Sequence, residues 1–259
     1  MDVAKAKSAF SKVALPMGVL VAILCAAQTL KYFNLLPIFV PGPWDVVMQI
    51  WTSPTLVYSN VLPTFYKASA GYLIAAIVAV CAGSLAVLVR MLYGPIYNFG
   101  VCINSVPIIA TAPLIALTMG NGPQVQIAIA ALASQFPMLV GTMQGLRSAD
   151  ARQLELMHVL SASKLQTLRY LLAPGALPFM LAGFKIAAPS AVLGAITAEW
   201  VGADRGIGAL MLYALFSYDT PKVWLSVLLT CALAASGYGL MALVQHYVLW
   251  WDRDVELES

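Results

Sequence analysis

The side chains best equipped for chemistry in this sequence are few and scattered. Its two histidines, His158 and His246, stand far apart, with no carboxylate or thiol at ligand spacing. The four cysteines, Cys25, Cys81, Cys102 and Cys231, share no CxxC spacing. Each falls within an apolar stretch, where a thiol behaves as a small hydrophobe. This pattern predicts neither a disulfide nor a metal site. No G-x-x-x-x-G-K-[ST] run occurs, so the chain has no phosphate loop of its own. Covalent or hydrolytic catalysis would need a nucleophile beside a base or metal ligands, and both histidines lie outside or at the edge of the apolar segments.

What remains are isolated polar groups in apolar surroundings. Asn104, Ser105 and Thr111 accompany Pro107 and Pro113, and Ser190 and Thr197 share a segment with Pro189. Proline frees backbone carbonyls and kinks helices, and helices broken in this way line cavities in transporters. The plainer role of such groups is hydrogen bonding between neighbouring helices. Glu199 either pairs with Arg205 or caps a helix, or it shapes the mouth of a path. Lys185 either snorkels to an interface or makes a subunit or loop contact. Asn104, Ser105, Pro107, Thr111, Ser190, Thr197 and Glu199 are the expected contributors to a translocation pathway.

The elements that must hold these groups are apolar enough to identify their solvent. The 259-residue chain is 61% hydrophobic and 10% charged, where a soluble domain carries about a quarter charged residues. Between Lys67 and Arg147 the only charge is Arg90. A bilayer is therefore the expected surrounding. Six segments approach the roughly 20 apolar residues that a span needs: Val13–Leu30, Tyr72–Val89, Ile96–Met119, Val125–Leu146, Phe179–Val201 and Trp224–Leu249. The basic start "MDVAKAKSAFSK" is not followed by a clear cleavage site, so the first segment reads as a retained span. Turn residues at Gly94-Pro95 and Gly120–Pro123 predict antiparallel hairpins. The expected organisation is an all-α membrane protein, one domain of residues 13–250 between cytoplasmic tails 1–12 and 251–259.

Orientation follows from lysine and arginine in the loops. With the N-terminus inside, the inner side holds Lys5, Lys7, Lys12, Arg90, Arg147, Arg152, Lys164, Arg169 and Arg253, with Lys185 nearby. The outer side holds Lys31, Lys67, Arg205 and Lys222. Ten against four predicts two cytoplasmic termini. The net charge of +3 is too small and too dispersed for a nucleic-acid partner.

The most polar internal stretch, "ELMHVLSASKLQTLRYLLAPGALP" from Glu155 to Pro178, then lies in the cytoplasm between the fourth and fifth spans. Asp150 with Gln153 three residues on caps a first helix, and Ser163 with Gln166 forms a capping box for a second. The expected helices are Ala151–Leu160 and Lys164–Leu172, with a bend at Ser161–Ser163. Pro174 is expected to end the second, because the residue before proline avoids helix. Leu156, Met157, Val159 and Leu160 are too apolar for an idle loop, and Leu165, Leu168 and Leu172 share one helical face. Periodicity allows two readings equally: a helix lying on the headgroups, or one set into a groove of another protein.

The spacing of this stretch resembles the "EAA" loop of ABC importer permeases. Glu155 takes the position of the E, Ser161 that of the Gly, Leu171 that of the Ile and Pro174 that of the Pro. Leu156, Met157, Ser161 and Ala173 depart from the family's Ala, Ala, Gly and Leu. Further runs resemble the nitrate/taurine/sulfonate branch in order along residues 38–250: "FVPGPWDVVMQIW", "SVPIIATAPLIALTMGNG", "PGALPFMLAGFKIA" and "AEWVGADRGIGALM". The resemblance implies a type I ABC importer fold: six transmembrane helices with a two-helix coupling loop at about 147–176. It implies a homodimer in a bacterial inner membrane and a periplasmic or lipid-anchored solute-binding protein. It also implies two cytoplasmic ATPase subunits that hold ATP and Mg, with no cofactor on this chain. ATPase coupling then falls to Asp150, Glu155, Met157, His158, Val159, Leu160, Ser161, Ala162, Ser163, Gln166 and Pro174. Docking at the outer face falls to Asn121, Gly122, Arg205 and Asp219.

Two other function classes compete. A secondary transporter needs coupling carboxylates near the midplane, yet no Asp or Glu occurs between Asp45 and Asp150. An intramembrane enzyme needs the catalytic groupings already found wanting. The leading expectation is a non-catalytic permease for a small solute of the sulfonate, nitrate, carboxylate or vitamin-precursor class.

Overall fold

Prolines stand in the first turn of five of the described helices. A computed structural model describes residues 18–250 other than 20, 34, 36 and 38. Its helices are α1 (Val21–Tyr32), α2 (Pro43–Thr52), α3 (Pro54–Leu88), α4 (Tyr93–Ser105), α5 (Ile108–Met119), α6 (Pro123–Gly145), α7 (Ala151–Val159), α8 (Lys164–Thr167), α9 (Ala173–Glu199), α10 (Ile207–Phe216) and α11 (Thr220–Val248). No strand occurs among the described residues. α2, α3, α6, α9 and α11 each carry a proline in the first turn, where its missing N–H costs nothing.

The centre of the bundle is α6, packed between α3 and α9. Its contacts are made by small residues. A Cβ on Gly183 would lie 2.5 Å from the Pro137 carbonyl oxygen, and one on Gly141 would lie 2.6 Å from that of Phe179. The α6 and α9 backbones therefore touch. Buried alanines, among them Ala75, Ala79, Ala130, Ala187 and Ala195, continue the pattern. Large apolar side chains point the other way: Ile77 and Leu117 are 66% and 82% exposed. This inversion is what lipid demands, since tails solvate leucine as well as a core does and only close packing holds helices together. The four cysteines are unpaired and sit on this outer surface.

Four helices are long and apolar enough to cross a membrane: α3, α6, the continuous Lys164–Glu199 and α11. Arg90–Ser105 and Ile108–Met119 make a fifth if the pair counts as one, although a 97° bend separates them. The predicted span Ile96–Met119 is thus interrupted in its middle. Val106 is extended at φ −78°, ψ 128°, as expected of a residue before proline, and α5 restarts after Pro107. The predicted span Tyr72–Val89 proves to be the second half of α3, whose polar Asn60, Thr64 and Lys67 had interrupted the apolar run. The predicted first span, Val13–Leu30, lies partly outside the described residues.

Pro174 does not end the second loop helix. α8 passes through a π-helical turn, Leu168–Leu172, directly into α9. There the Ala173 N–H reaches back five residues to the Leu168 carbonyl. The wider turn seats Pro174 in the first turn of α9, where no donor is required. Pro178 and Pro189 are also carried inside α9, which runs through to Glu199.

The backbone contact between α6 and α9 can be tested with one methylated position. Gly183→Val should lower stability by about 1–3 kcal/mol, the usual cost of overpacking, read as an earlier unfolding midpoint in detergent. An unchanged midpoint would mean that the helices stand further apart than described.

Candidate functional site

Two polar regions occupy opposite ends of the Lys164–Glu199 helix. At its C-terminal end Glu199 is fully buried yet ionisable. Lys67 of α3 donates from Nζ to Glu199 Oε1 at 3.0 Å, with side-chain exposures of 7% for the lysine and 0% for the glutamate. Thr64 Oγ1, one turn before Lys67, lies 2.8 Å from the same oxygen. The Gly208 N–H donates to Oε2 at 2.8 Å, so the carboxylate also caps α10. The neighbouring donors are taken up by α3: the Ile207 N–H donates to Thr64 Oγ1 at 2.8 Å and the Gly206 N–H to Asn60 Oδ1 at 3.1 Å. Lys67 Nζ makes a second bond, 2.9 Å to the Arg205 carbonyl oxygen. Asn60, Thr64 and Lys67 lie on one face of α3 by their four- and three-residue spacing.

Sequence reasoning placed only part of this site. The alternative of a Glu199–Arg205 pair is corrected: Arg205 gives its carbonyl to Lys67, and the carboxylate's partner is Lys67 itself. Lys67, assigned to an outer loop in the charge tally, is a buried residue of α3. Asn60 and Thr64 were missed, although their spacing to Lys67 was a helical stripe of polar residues in an apolar helix. The tight turn before α10 depends on Gly206, at φ +143°, where a Cβ would come within 2.2 Å of the Glu199 carboxyl group.

The expected pathway residues are brought together only in part. Asn104 and Thr111 line one cavity of about 210 Å³ across the Pro107 bend, with Leu132 of α6. The hydroxyls of Ser105, Thr111, Ser190 and Thr197 donate to carbonyls of their own helices, at Val101, Ile108, Ile186 and Leu193. Ser190 and Thr197 are half-buried and lie along an α9 stripe with exposed Ile186 and Leu193. Lys185 does not simply snorkel: its Nζ donates to Gln245 Oε1 at 2.7 Å and lies 5.6 Å from the Tyr238 ring centre. Of the expected outer-face residues, Asn121, Gly122 and Arg205 line one pocket. Asp219 does not line it; it caps α11 by accepting from the Lys222 N–H at 3.2 Å, and pairs with the Lys222 side chain.

At the other end of the long helix, α7 and α8 stand clear of the bundle. The Asp150 N–H donates to Gln153 Oε1 at 3.2 Å, and Ser163 N–H to Gln166 Oε1 at 2.7 Å, while Ser163 Oγ accepts from the Gln166 N–H. Between them Ser161 adopts the left-handed conformation at φ +54°. Its N–H donates to the His158 carbonyl and that of Ala162 to Met157, which closes α7 with the bonds of a Schellman motif. The bend that the resemblance associates with glycine is thus made by serine. Glu155, His158 and Ala151 are exposed, Met157 and Ala162 half-buried, and Leu156, Val159, Leu160 and Leu165 all expose more than half their surface.

Comparison with known proteins gives concordant results. A family model described as binding-protein-dependent transport system inner membrane component matches residues 71–249. The formylaminopyrimidine transport permease protein ThiX of Halalkalibacterium halodurans is 28% identical over 218 residues, covering 84% of this chain and 87% of that protein. The riboflavin transport system permease protein RibX of Chloroflexus aurantiacus is 29% identical over 219 residues, covering 83% and 82%. Among solved structures, an inward-facing conformation of the MetNI methionine ABC transporter superposes with a TM-score of 0.61 at 18% identity, over 80% of this chain and 97% of that one. At that identity the likeness speaks for the fold.

Three variants test the local geometry. Lys67→Met leaves the Glu199 carboxylate buried without its cation and should cost about 3–5 kcal/mol, and adding Glu199→Gln should restore most of it. Costs that simply add would rule out a direct pair. Ser161→Gly should stabilise the loop by a few tenths to about 1 kcal/mol, because glycine tolerates positive φ; slower proteolysis at the loop is the readout.

Proposed function

The chain belongs to the family of binding-protein-dependent transport system inner membrane components, permease subunits of ABC importers for small solutes, and on that premise we propose how it couples. The loop of α7 and α8 is the docking element for separate cytoplasmic ATPase subunits, which bind ATP and Mg and perform the hydrolysis. The reading rests on one observation: a capped, exposed, apolar pair of short helices whose second member is continuous with a span. At 1.5 Å per residue, the 36-residue helix is ~54 Å long. A displacement of the loop is therefore delivered along one rod to Glu199 at the far end.

The proposed subunit has six spans, counting Val13–Leu30 and the bent α4–α5 pair, both termini in the cytoplasm, and a coupling loop at about 147–176 within a single domain of residues 13–250. It works as a homodimer, a reading supported by the α9 stripe of Phe179, Ile186 and Leu193, exposed on a helix that is otherwise well buried. Asn104, Ser105, Pro107, Thr111, Ser190, Thr197 and Glu199 border the path, and the end carrying Asn121, Gly122, Arg205 and Asp219 receives a periplasmic or lipid-anchored binding protein. ATP binding draws the loops together and the spans rock outward; hydrolysis resets them, an alternating-access cycle driven by a rigid element. The solute is of the sulfonate, nitrate, carboxylate or vitamin-precursor class. The formylaminopyrimidine and riboflavin permeases among the relatives support the last of these.

Glu155→Lys and Leu160→Asp should each leave the subunit in the membrane and reduce uptake by tenfold or more in proteoliposomes containing the partner ATPase. Stimulation of ATP hydrolysis by the loaded binding protein should vanish with it. Normal uptake and stimulated hydrolysis in both variants would refute the docking assignment.

A further inference from the structure

The short helix α2 has two apolar faces, and the fold uses only one of them. At about 100° per residue, Val46 and Ile50 fall on one side, where Val46 is buried as α2 packs against α11 and α3. Trp44, Val47, Met48 and Trp51 fall on the opposite side, within an arc of about 100°. All four are exposed, Trp44 by 63% and Trp51 by 78%. The polar residues Asp45, Gln49 and Thr52 keep to one flank between these faces. Asp45 is the only charge on the helix, and its Oδ2 accepts from the Gly42 N–H at 3.0 Å.

Neighbouring elements hold α2 at a fixed height. The Trp44 N–H donates to Gln28 Oε1 of α1 at 3.1 Å, and Trp224 Nε1 of α11 donates to the Phe39 carbonyl, just ahead of α2, at 3.3 Å. Ser53 alone separates α2 from α3. That height is where the membrane ends. Trp224 stands in the second turn of α11 and Trp250 just past its end. They are 26 positions apart, which is ~39 Å along a helix and close to the roughly 40 Å of a bilayer with its headgroup layers. Tryptophans mark both such boundaries, so Trp224, and α2 with it, lies at one of them. The first turns of α3 continue the exposed apolar surface with Tyr58 and Leu62.

We propose that α2 is an interfacial anchor whose face of Trp44, Val47, Met48 and Trp51 lies in the boundary between headgroups and acyl chains, so that its occupant is the phospholipid of the bilayer itself. The face has no charge, and its only hydrogen-bond donors are two indole N–H groups. That composition suits a fluid layer of ester and phosphate oxygens above hydrocarbon. Through Ser53 the depth of α2 also sets the level at which α3 enters the membrane. The placement rests on the chain's membership of an inner-membrane family and not on the coupling proposed above; orientation decides only which leaflet is involved.

The test is a nitroxide scan of α2, with the permease assembled with its ATPases in nanodiscs and made from a cysteine-free background. Single labels are placed along the helix, and their collisions are measured with oxygen, which concentrates in lipid, and with a neutral nickel chelate, which stays in water. The ratio of oxygen to chelate collisions should be at least fivefold higher for Val47→Cys and Met48→Cys than for Asp45→Cys and Thr52→Cys. Val46→Cys should collide little with either. Val47→Cys and Met48→Cys keep both tryptophans and the bonds that hold the helix, so they decide the outcome where a tryptophan replacement fails to fold. Few collisions with both reagents at Val47 and Met48 would mean that protein covers the face, a second copy or a docked partner, and would overturn the proposal. Frequent collisions with the chelate at those positions would put the face in water and overturn it equally.

Discussion

One carboxylate ties three helices together. Glu199 ends α9, receives Lys67 and Thr64 from α3, and supplies the acceptor that the first turn of α10 lacks through Gly208. In lipid such a group is tolerated only if its lone pairs find donors, and here the donors come from two elements, the distant α3 and the adjoining α10. Their convergence sets the register of α3 against α9. It also sets the entry angle of α10, and through Gly206 it requires the sharp turn between α9 and α10. Where the carboxylate sits therefore determines which face of α3 is inside, and with it the alanine seam of Ala68, Ala75 and Ala79 that meets α6.

The rest of the bundle is held by proximity. Gly141 and Gly183 let α6 and α9 approach to backbone contact, and the large side chains this displaces face outward to the bilayer. Contacts of this kind are short-ranged and resist sliding. A long helix with such a seam moves as a body, and the Pro107 bend beside it is where the shape can change.

Much of this was legible in the residues. Low charge and long apolar runs identified the solvent, and the cap signals at Asp150 and Ser163 placed the starts of both loop helices and, within one residue, the end of the first. The spacing from Glu155 to Pro174 pointed to the family that the comparison establishes. What could not be read has physical causes. Lys67 looked like a loop residue because its charge interrupts a hydrophobic run, and only a partner 132 positions away makes it an interior residue. Pro174 looked like a helix end because local rules assume α-helical bonding, and a π-helical turn changes the donor count. The break at Val106 hid inside a run whose average hydropathy was that of a single span.

The bend between α4 and α5 has a consequence for the surrounding lipid. α4 has 13 residues and α5 has 12, so each is about 20 Å long or less, against a hydrocarbon core of about 30 Å. At 97° the two cannot both stand along the bilayer normal. The membrane beside this hairpin must thin, or the crosswise arm must lie in it as a wedge, and either response carries an elastic cost that depends on acyl-chain length. Straightening or deepening the bend changes that cost. The thickness of the bilayer thus becomes a thermodynamic partner of this subunit, acting on the balance between its conformations without touching any binding site.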